Sequence, residues 1–461
     1  MTDRIPPQDR TTTGRASAAS RAAEDSTGAE RPGGVSRGSE RSGGVSRGSE
    51  RPGGVSRRAL LGTAGATGLV LGAAGGGVGY ALAPEGSKAP AEALTRLGSR
   101  RAMFHVKHQP GITTPLQAKG HLLAFDLLAG KGRREAANLL RRWSETAERL
   151  MAGEAVAADG HDTGIALDAG PASLTVTFGF GYSFFSRTGL EKQRPEALSP
   201  LPQFSSDHLD AKRGEGDLWV QIGADDALVA FHALRALQKD ARGTARVRWQ
   251  MNGFNRSPGA TASPRTARNL MGQLDGTGNP QESDKDFAQR VFVGPGDGPR
   301  WMANGSYVVM RRIRMLLDDW EGLGLAEQEK VIGRRKSTGA PLTGGGERTE
   351  PELDATDKDG DLVIPLNAHA RITRPDQNGG AAMLRRPFSY HDGIDADGVP
   401  DAGLLFLCWQ ADPLRGFVPV QRKLDRGDAL SEYIRHEASG LYAVPGGAAK
   451  GEYVGQGLLE G

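Results

Sequence analysis

The sequence predicts an α+β fold. Two observations carry that expectation: helical and extended patterns alternate along the chain, and the extended runs do not recur at the crossover rhythm of a parallel βαβ sheet. At 461 residues the chain is also long enough for more than one ordinary domain.

The patterned body begins near residue 103. Gly120 to Gly130 and Arg133 to Ala152 both carry helical spacing. The first does so through Leu122, Leu123, Phe125, Leu127 and Leu128, the second through Leu139, Leu140, Trp143 and Leu150. Leu174 to Phe178 reads as a strand closed by a glycine turn at Gly179-Phe180-Gly181. That glycine pair lacks the third glycine and the following helix of a dinucleotide fingerprint. Leu218 to Ile222 is a second strand, Ala224 to Lys239 a helix and Thr244 to Met251 a third strand. The second half opens with a loop around Asp275, followed by a strand from Gly305 to Met310. A helix over Leu316 to Ile332 should be interrupted at Gly322 and Gly324. After the polar, glycine-rich segment Lys336 to Asp361 come a strand over Leu404 to Gln410 and a helix over Gly416 to Leu424.

What precedes the body has another character. Residues 1–55 are rich in Gly, Ser, Arg and Pro and hold near-copies of a ten-residue unit starting at Arg31, Arg41 and Arg51. Such a composition has too little to bury, so a disordered low-complexity leader is expected. It runs into Ser56-Arg57-Arg58-Ala59-Leu60-Leu61, a twin-arginine pattern. From Ala59 to Ala83 no residue is charged and eight are glycine, a mild hydrophobicity below that of most membrane spans. Ala81-Leu82-Ala83 then offers a small-residue cleavage site. Residues 56–83 therefore read as a Tat signal, which makes the Tat translocase a partner and the mature protein exported; an uncleaved anchor is the alternative. Residues 84–102 read as a polar linker. The body divides into segments 103–260 and 261–461.

The net charge of +3 resides in the leader, where eleven arginines face seven acids before residue 84. The remaining 47 basic and 48 acidic residues give the body no excess positive charge to argue for a nucleic-acid partner. The single cysteine, Cys408, excludes an intrachain disulfide and a Cys-x-x-Cys-His attachment site. It sits in the apolar run Leu404 to Trp409 and reads as a buried small residue.

The chemistry concentrates downstream of Met271. Gly272-Gln273-Leu274-Asp275-Gly276 holds a carboxylate between two glycines, residues that allow positive φ and close approach to a flat ligand. Taken alone the pattern reads more readily as a plain turn. His369, Arg371 and Arg385 give it weight. A fixed acid, a histidine and an arginine are the groups needed to hold a haem iron and to act on a peroxide above it. Asp357-x-Asp359-Gly360 and Asp395-x-Asp397-Gly398 look like calcium loops, but Ala355, Leu366, Gly393 and Leu404 occupy positions where acids are required. Trp219, Trp249, Trp301, Trp320 and Trp409 could relay radicals, with core packing the simpler reading for most.

These segments together resemble the dye-decolourising peroxidases, including the exported deferrochelatase/peroxidase branch. Besides Gly272 to Gly276, the likeness rests on Pro365 to Arg371 and on Met383-Leu384-Arg385-Arg386-Pro387-Phe388-Ser389-Tyr390. It extends to His108 to Pro115, Gly216 to Ile222, Gly305 to Val309, Gly333 to Lys336 and Gly403 to Phe406. The resemblance implies two ferredoxin-like domains with antiparallel sheets, one non-covalent haem b per chain held mainly by the C-terminal domain, and peroxide reduction through a ferryl species. His369 would be the axial iron ligand, Asp275 the distal acid–base group and Arg385 the distal cation or a partner of a haem propionate. Gly276, Thr277, Gly278, Arg371, Arg374, Pro375 and Asp376 would line the cofactor, with Arg371 facing a propionate and Arg386 either a propionate or the surface. Hydrogen peroxide and an electron donor are the implied partners; iron-uptake components and a homo-oligomer are further ones that the resemblance admits. Removal of iron from intact porphyrin and non-enzymatic haem carriage are the implied alternatives. Asn367 and Ala370 depart from the family's usual aspartate and isoleucine, which bears on ring orientation and iron potential.

Overall fold

The computed structural model describes residues 96–154, 162–261 and 266–461. The low-complexity leader, the twin-arginine segment and residues 84–95 of the linker lie outside the described residues.

The first half is built as β1 (Lys119–Leu127), α1 (Arg133–Met151), β2 (Thr175–Gly181), α2 (Tyr182–Thr188), β3 (Leu218–Ala224), α3 (Ala227–Asp240) and β4 (Ala245–Phe254). Its strands lie in the antiparallel order β2-β3-β1-β4, the ferredoxin-like arrangement. Helix α3 starts at residue 227 because Asp226 caps it, accepting from the Leu228 and Val229 N–H groups at 2.9 Å each. The second half follows as α4 (Phe287–Val291), β5 (Ser306–Met315), α5 (Leu317–Gly322), α6 (Leu325–Ile332), α7 (His369–Ile372), β6 (Leu384–Arg385), β7 (Phe388–Ile394), β8 (Pro400–Gln410), α8 (Phe417–Gly427), β9 (Ile434–Val444) and α9 (Gln456–Leu459). Its main strands repeat the arrangement as β9-β5-β8-β7. The two sheets meet at their edges, β2 on β9 and β4 on β7, so the eight long strands close into a ring. The short β6 is an extra strand on β8.

Two cores follow from this closure. Trp219, Trp409, Tyr442, Tyr390 and Phe388 fill the inside of the ring. Trp143, Phe178 and Phe184 belong to the outer core, under helices such as α1 and α3. Trp219 stacks on Tyr442 at 5.6 Å and meets the edge of Trp409 at 5.9 Å.

Three sequence expectations need correction. Gly120 to Gly130 holds a strand, not a helix: Leu122 and Ala124 face one core while Leu123, Phe125 and Leu127 face the other. A strand buried on both faces is continuously apolar and loses the alternation that would reveal it. Gly179-Phe180-Gly181 is not a turn but the end of β2, and α2 follows it directly. A Cβ on Gly181 would lie 1.9 Å from the Gly216 carbonyl oxygen, so glycine is there for close backbone approach. Strands β7 and β9 were not expected, because His391-Asp392-Gly393 and Arg435-His436-Glu437 interrupt their apolar patterns. The break of the Leu316–Ile332 helix at Gly322 to Gly324 is observed.

His436 on β9 is buried, and burial first, then the Arg311 guanidinium, lowers its pKa from 6.5 to about 3. The fold keeps it neutral, whereas the unfolded chain takes up a proton below its ordinary value. Its contribution to stability is therefore complete above pH 6.5 and is lost as pH falls toward 3. Urea unfolding at about pH 7.5 and about pH 4.5 should show a flatter pH dependence for His436→Gln than for the native chain.

Candidate active site

The Asp275 loop is shaped by its glycines. Gly272 and Gly276 take φ of +79° and +133°, conformations that a side chain would strain. The Asp275 N–H donates to the Ala267 carbonyl at 2.8 Å and the Gly272 N–H to that of Asn269 at 3.0 Å. Arg268 spans the loop and the polar segment beside it. Its Nη1 donates to the carbonyls of Gly272 and Lys336, both at 2.6 Å, and its Nη2 to that of Ser337 at 2.9 Å. Glu347 supplies a second tie, accepting from the Thr277 hydroxyl at 3.0 Å and from that of Thr266. The long polar segment is thus fastened to the loop at its start and again near its middle.

Arg385 comes to this loop from β6. Its Nη1 lies 3.9 Å from Asp275 Oδ1, beyond hydrogen-bond reach but close enough for the charges to interact. Arg385 pairs with Cys408 of β8, which places its side chain on the same sheet face as Cys408, Phe406 and Leu404. The Cys408 thiol is buried, as its apolar run implied, and burial pushes its pKa upward.

Arg386 departs from the sequence expectation. It is neither a surface group nor one available to a propionate: it is buried and crosses to the other half of the fold. It donates to the carbonyls of Gly111 and Pro115 (the latter at 2.9 Å) and to Gln117 Oε1 at 3.3 Å. No carboxylate pairs with it among the described contacts, and burial lowers its pKa to about 10. Arg386→Ala would strand buried carbonyls and should destabilise the protein by about 1–3 kcal/mol, read from the urea midpoint, whereas a surface arginine would cost almost nothing.

His369 is the first residue of α7, a single turn begun by the Ala368 N–H bond to the Pro365 carbonyl at 3.1 Å. Its Nδ1 lies 2.7 Å from Oδ2 of Asp428, whose side chain is 1 % exposed. Oδ1 of the same carboxylate accepts from the Leu430 N–H at 3.1 Å. Burial opposes protonation of His369, but Asp428 outweighs it and raises the pKa above the ordinary histidine value; Arg385 and Asp275 are near enough to act on the ring in opposite senses. In the neutral ring, with Nδ1–H donated to Asp428, Nε2 carries the lone pair. Among the described contacts it has no partner.

The remaining expected residues fall around this constellation. Thr277 is engaged by Glu347, and Gly278 is exposed with open space where a Cβ would be. Arg371 Nη1 donates to the carbonyls of Leu353 at 2.7 Å and Ile364 at 3.0 Å, so that part of its guanidinium closes the preceding loop. Arg374 forms ion pairs with Asp376 at 2.9 Å and Glu350 at 2.7 Å, and Pro375 opens a short 3₁₀ turn through residue 378. Sequence reasoning missed Asp428, Asn279, Arg268 and Glu347. Asn279 directly follows Gly278, the last residue of the Asp275 loop expected to line the cofactor.

The donor set fits a haem. One imidazole nitrogen is free while the other is held by a buried acid, which is how proteins orient a ligating histidine. Among the described residues no group of three His, Cys, Asp or Glu could hold a bare ion, whereas a haem iron needs one such ligand. Phe406, two residues from Cys408 on the same sheet face, is half-buried and lies near Arg385. A histidine so prepared, with an acid and a cation within electrostatic reach, defines an oxidoreductase that acts on a small oxygen species at a haem.

Comparison with known proteins specifies that class. The family model described as Dyp-type peroxidase, N-terminal matches residues 109–255, and the corresponding C-terminal model matches residues 266–449. The chain belongs to the Dyp-type peroxidase family, whose members are haem-dependent peroxidases. It is 44% identical over 416 residues to the dye-decolorizing peroxidase of Thermobifida fusca (strain YX), covering 87% of this chain and 96% of that one. It is 36% identical over 370 residues to the deferrochelatase of Escherichia coli (strain K12), covering 77% of this chain and 86% of that one. Among solved structures, the DyP-type peroxidase from Streptomyces coelicolor is 78% identical with a TM-score of 0.77, over 79% of this chain and 98% of that one. Ferric DtpA from Streptomyces lividans matches at 77% identity and the same TM-score and coverage.

Proposed function

We propose that this protein is an exported haem b peroxidase, with one haem per chain, that reduces hydrogen peroxide and oxidises dyes, phenols or another one-electron donor. The observation that carries the reading is the separation of Asp275 from Arg385. At 3.9 Å the pair is not locked into a direct salt bridge, and no described hydrogen bond reaches the Asp275 carboxylate or the Arg385 Nη atoms. Both remain available to a substrate. His369 Nε2 would hold the iron, with Asp428 fixing the ring. Haem bound there would supply the redox chemistry of peroxide cleavage. Asp275 accepts the proton that peroxide loses and returns it to the oxygen that leaves as water. Arg385 stabilises negative charge on that leaving oxygen.

Release of iron from intact porphyrin is a second reading, favoured by the likeness to a protein named deferrochelatase. The same pocket would serve it. Simple haem carriage is disfavoured, since carriage needs neither Asp275 nor Arg385. Stopped-flow absorbance of haem-loaded protein mixed with one equivalent of peroxide tests the proposal. A rapid Soret shift reversed by a phenol or dye supports it. An unchanged ferric spectrum with porphyrin fluorescence appearing on incubation would replace it with the second reading.

Export rests on the twin-arginine leader. Lysine at both Arg57 and Arg58 should retain the protein in the cytoplasm, read by fractionation. Iron-uptake components and a homo-oligomer belong to the same reading, and light scattering of the mature protein reads the latter.

A further inference from the structure

We propose that Asn279 is the positioning residue for Arg385, acting as a one-residue substitute for a missing strand. The inference rests on the distal role proposed above for Arg385. Strand β6 is two residues long and pairs with β8 alone. Backbone groups of successive strand residues point to opposite edges. The Arg386 N–H donates to the Leu407 carbonyl of β8 at 2.9 Å, so the N–H and C=O of Arg385 face the other way, where no strand lies among the described residues.

The side-chain amide of Asn279 meets them there. Its Oδ1 accepts from the Arg385 N–H at 3.1 Å, and its Nδ2 donates to the Arg385 carbonyl at 2.8 Å. That is the reciprocal pair a neighbouring strand would supply. Oδ1 also accepts from Arg385 Nε at 3.2 Å. One side chain therefore holds the residue at its backbone and again at its guanidinium.

The Nε contact has a chemical consequence. An arginine fixed at Nε points its two terminal nitrogens in one direction. Here that direction brings Nη1 to 3.9 Å from Asp275 without closing a bidentate pair. Freed from Asn279, the guanidinium could turn and engage the Asp275 carboxylate directly. That would occupy the proton acceptor and the cation with each other. Asn279 lies four residues after Asp275 in the same loop, and its N–H is tied to the Gly276 carbonyl at 3.0 Å. Loop geometry thus sets the spacing of acid and cation through one amide. A direct consequence is that the two groups cannot be repositioned independently.

The test is a double-mutant cycle on haem-loaded protein with Asn279→Ala, Arg385→Ala and both together. Two readouts apply: the rate of reaction with hydrogen peroxide, and the visible charge-transfer band of the ferric fluoride complex, which responds to a hydrogen bond donated to bound fluoride. Asn279→Ala should slow the peroxide reaction about tenfold or more and move the band toward its position in Arg385→Ala. The double variant should be no slower than Arg385→Ala. Multiplying losses, or an unmoved fluoride band in Asn279→Ala, would overturn the assignment. If Asn279→Ala takes up no haem, Asn279→Asp decides, because it keeps an oxygen for Nε. Its fluoride band should stay at the native position, and a band at the Arg385→Ala position would refute the proposal. An Arg385→Ala protein with native peroxide kinetics would instead refute the role assigned to Arg385 itself.

Discussion

Asp275→Asn is expected to slow the reaction with hydrogen peroxide by about 10²–10⁴-fold while haem stays bound. The substitution is nearly isosteric, so the backbone bond from the Asp275 N–H to the Ala267 carbonyl and the positive-φ glycines on either side should persist. What disappears is a group able to take a proton and give it back. The amide also removes the negative charge facing Arg385, which leaves that cation free but without a proton carrier beside it. Single-mixing stopped flow separates this from a binding defect. The ferric spectrum before mixing should match that of the native protein, and only the rate of its change should fall. A native rate would remove Asp275 from the proton-transfer role and leave Arg385 as the only distal group.

The sequence exposed the groups proposed to react better than their supports. Asp275, His369 and Arg385 each sit in a short motif whose residue types already suggest the chemistry. Asp428 does not: it stands 59 residues beyond His369 and belongs to no local pattern. Asn279 was visible as a residue but not as a partner, because its role depends on β6 lacking a second neighbour. Arg386 looked equivalent to Arg385, yet alternation along one strand sends it across the fold into carbonyls of the first half. The same limit applies to the architecture. Amphipathic helices such as α1 and α3 declare themselves, while β1 is buried on both faces and imitates a helix. Closure of the two sheets into one ring rests on two short edge contacts, β2 with β9 and β4 with β7, which no periodicity encodes.

His369→Ala is expected to abolish stable haem binding, seen as loss of the Soret band after gel filtration of reconstituted protein. Among the described histidines, His369 alone combines a carboxylate on one ring nitrogen with Asp275 and Arg385 near enough to act on the ring. His436 and His232 are buried away from this loop, the latter bonded to Asp162 at 2.5 Å. The Asp428→Asn variant sharpens the argument. An amide in that place keeps the volume but no longer draws the Nδ1 proton, so the ring loses both its fixed tautomer and the electron donation that a carboxylate partner gives. Haem should remain, held about 10–100-fold less tightly, with a more positive reduction potential. The departure at Asn367 does not decide ring orientation, since Asn367 contributes its backbone carbonyl, accepting from the Ala429 N–H at 3.0 Å, while Asp428 holds the imidazole. Ring orientation and iron potential therefore follow from a residue at the end of α8. A His369→Ala protein whose haem spectrum matched the native one would require another ligand and would detach Asp428 from the site altogether.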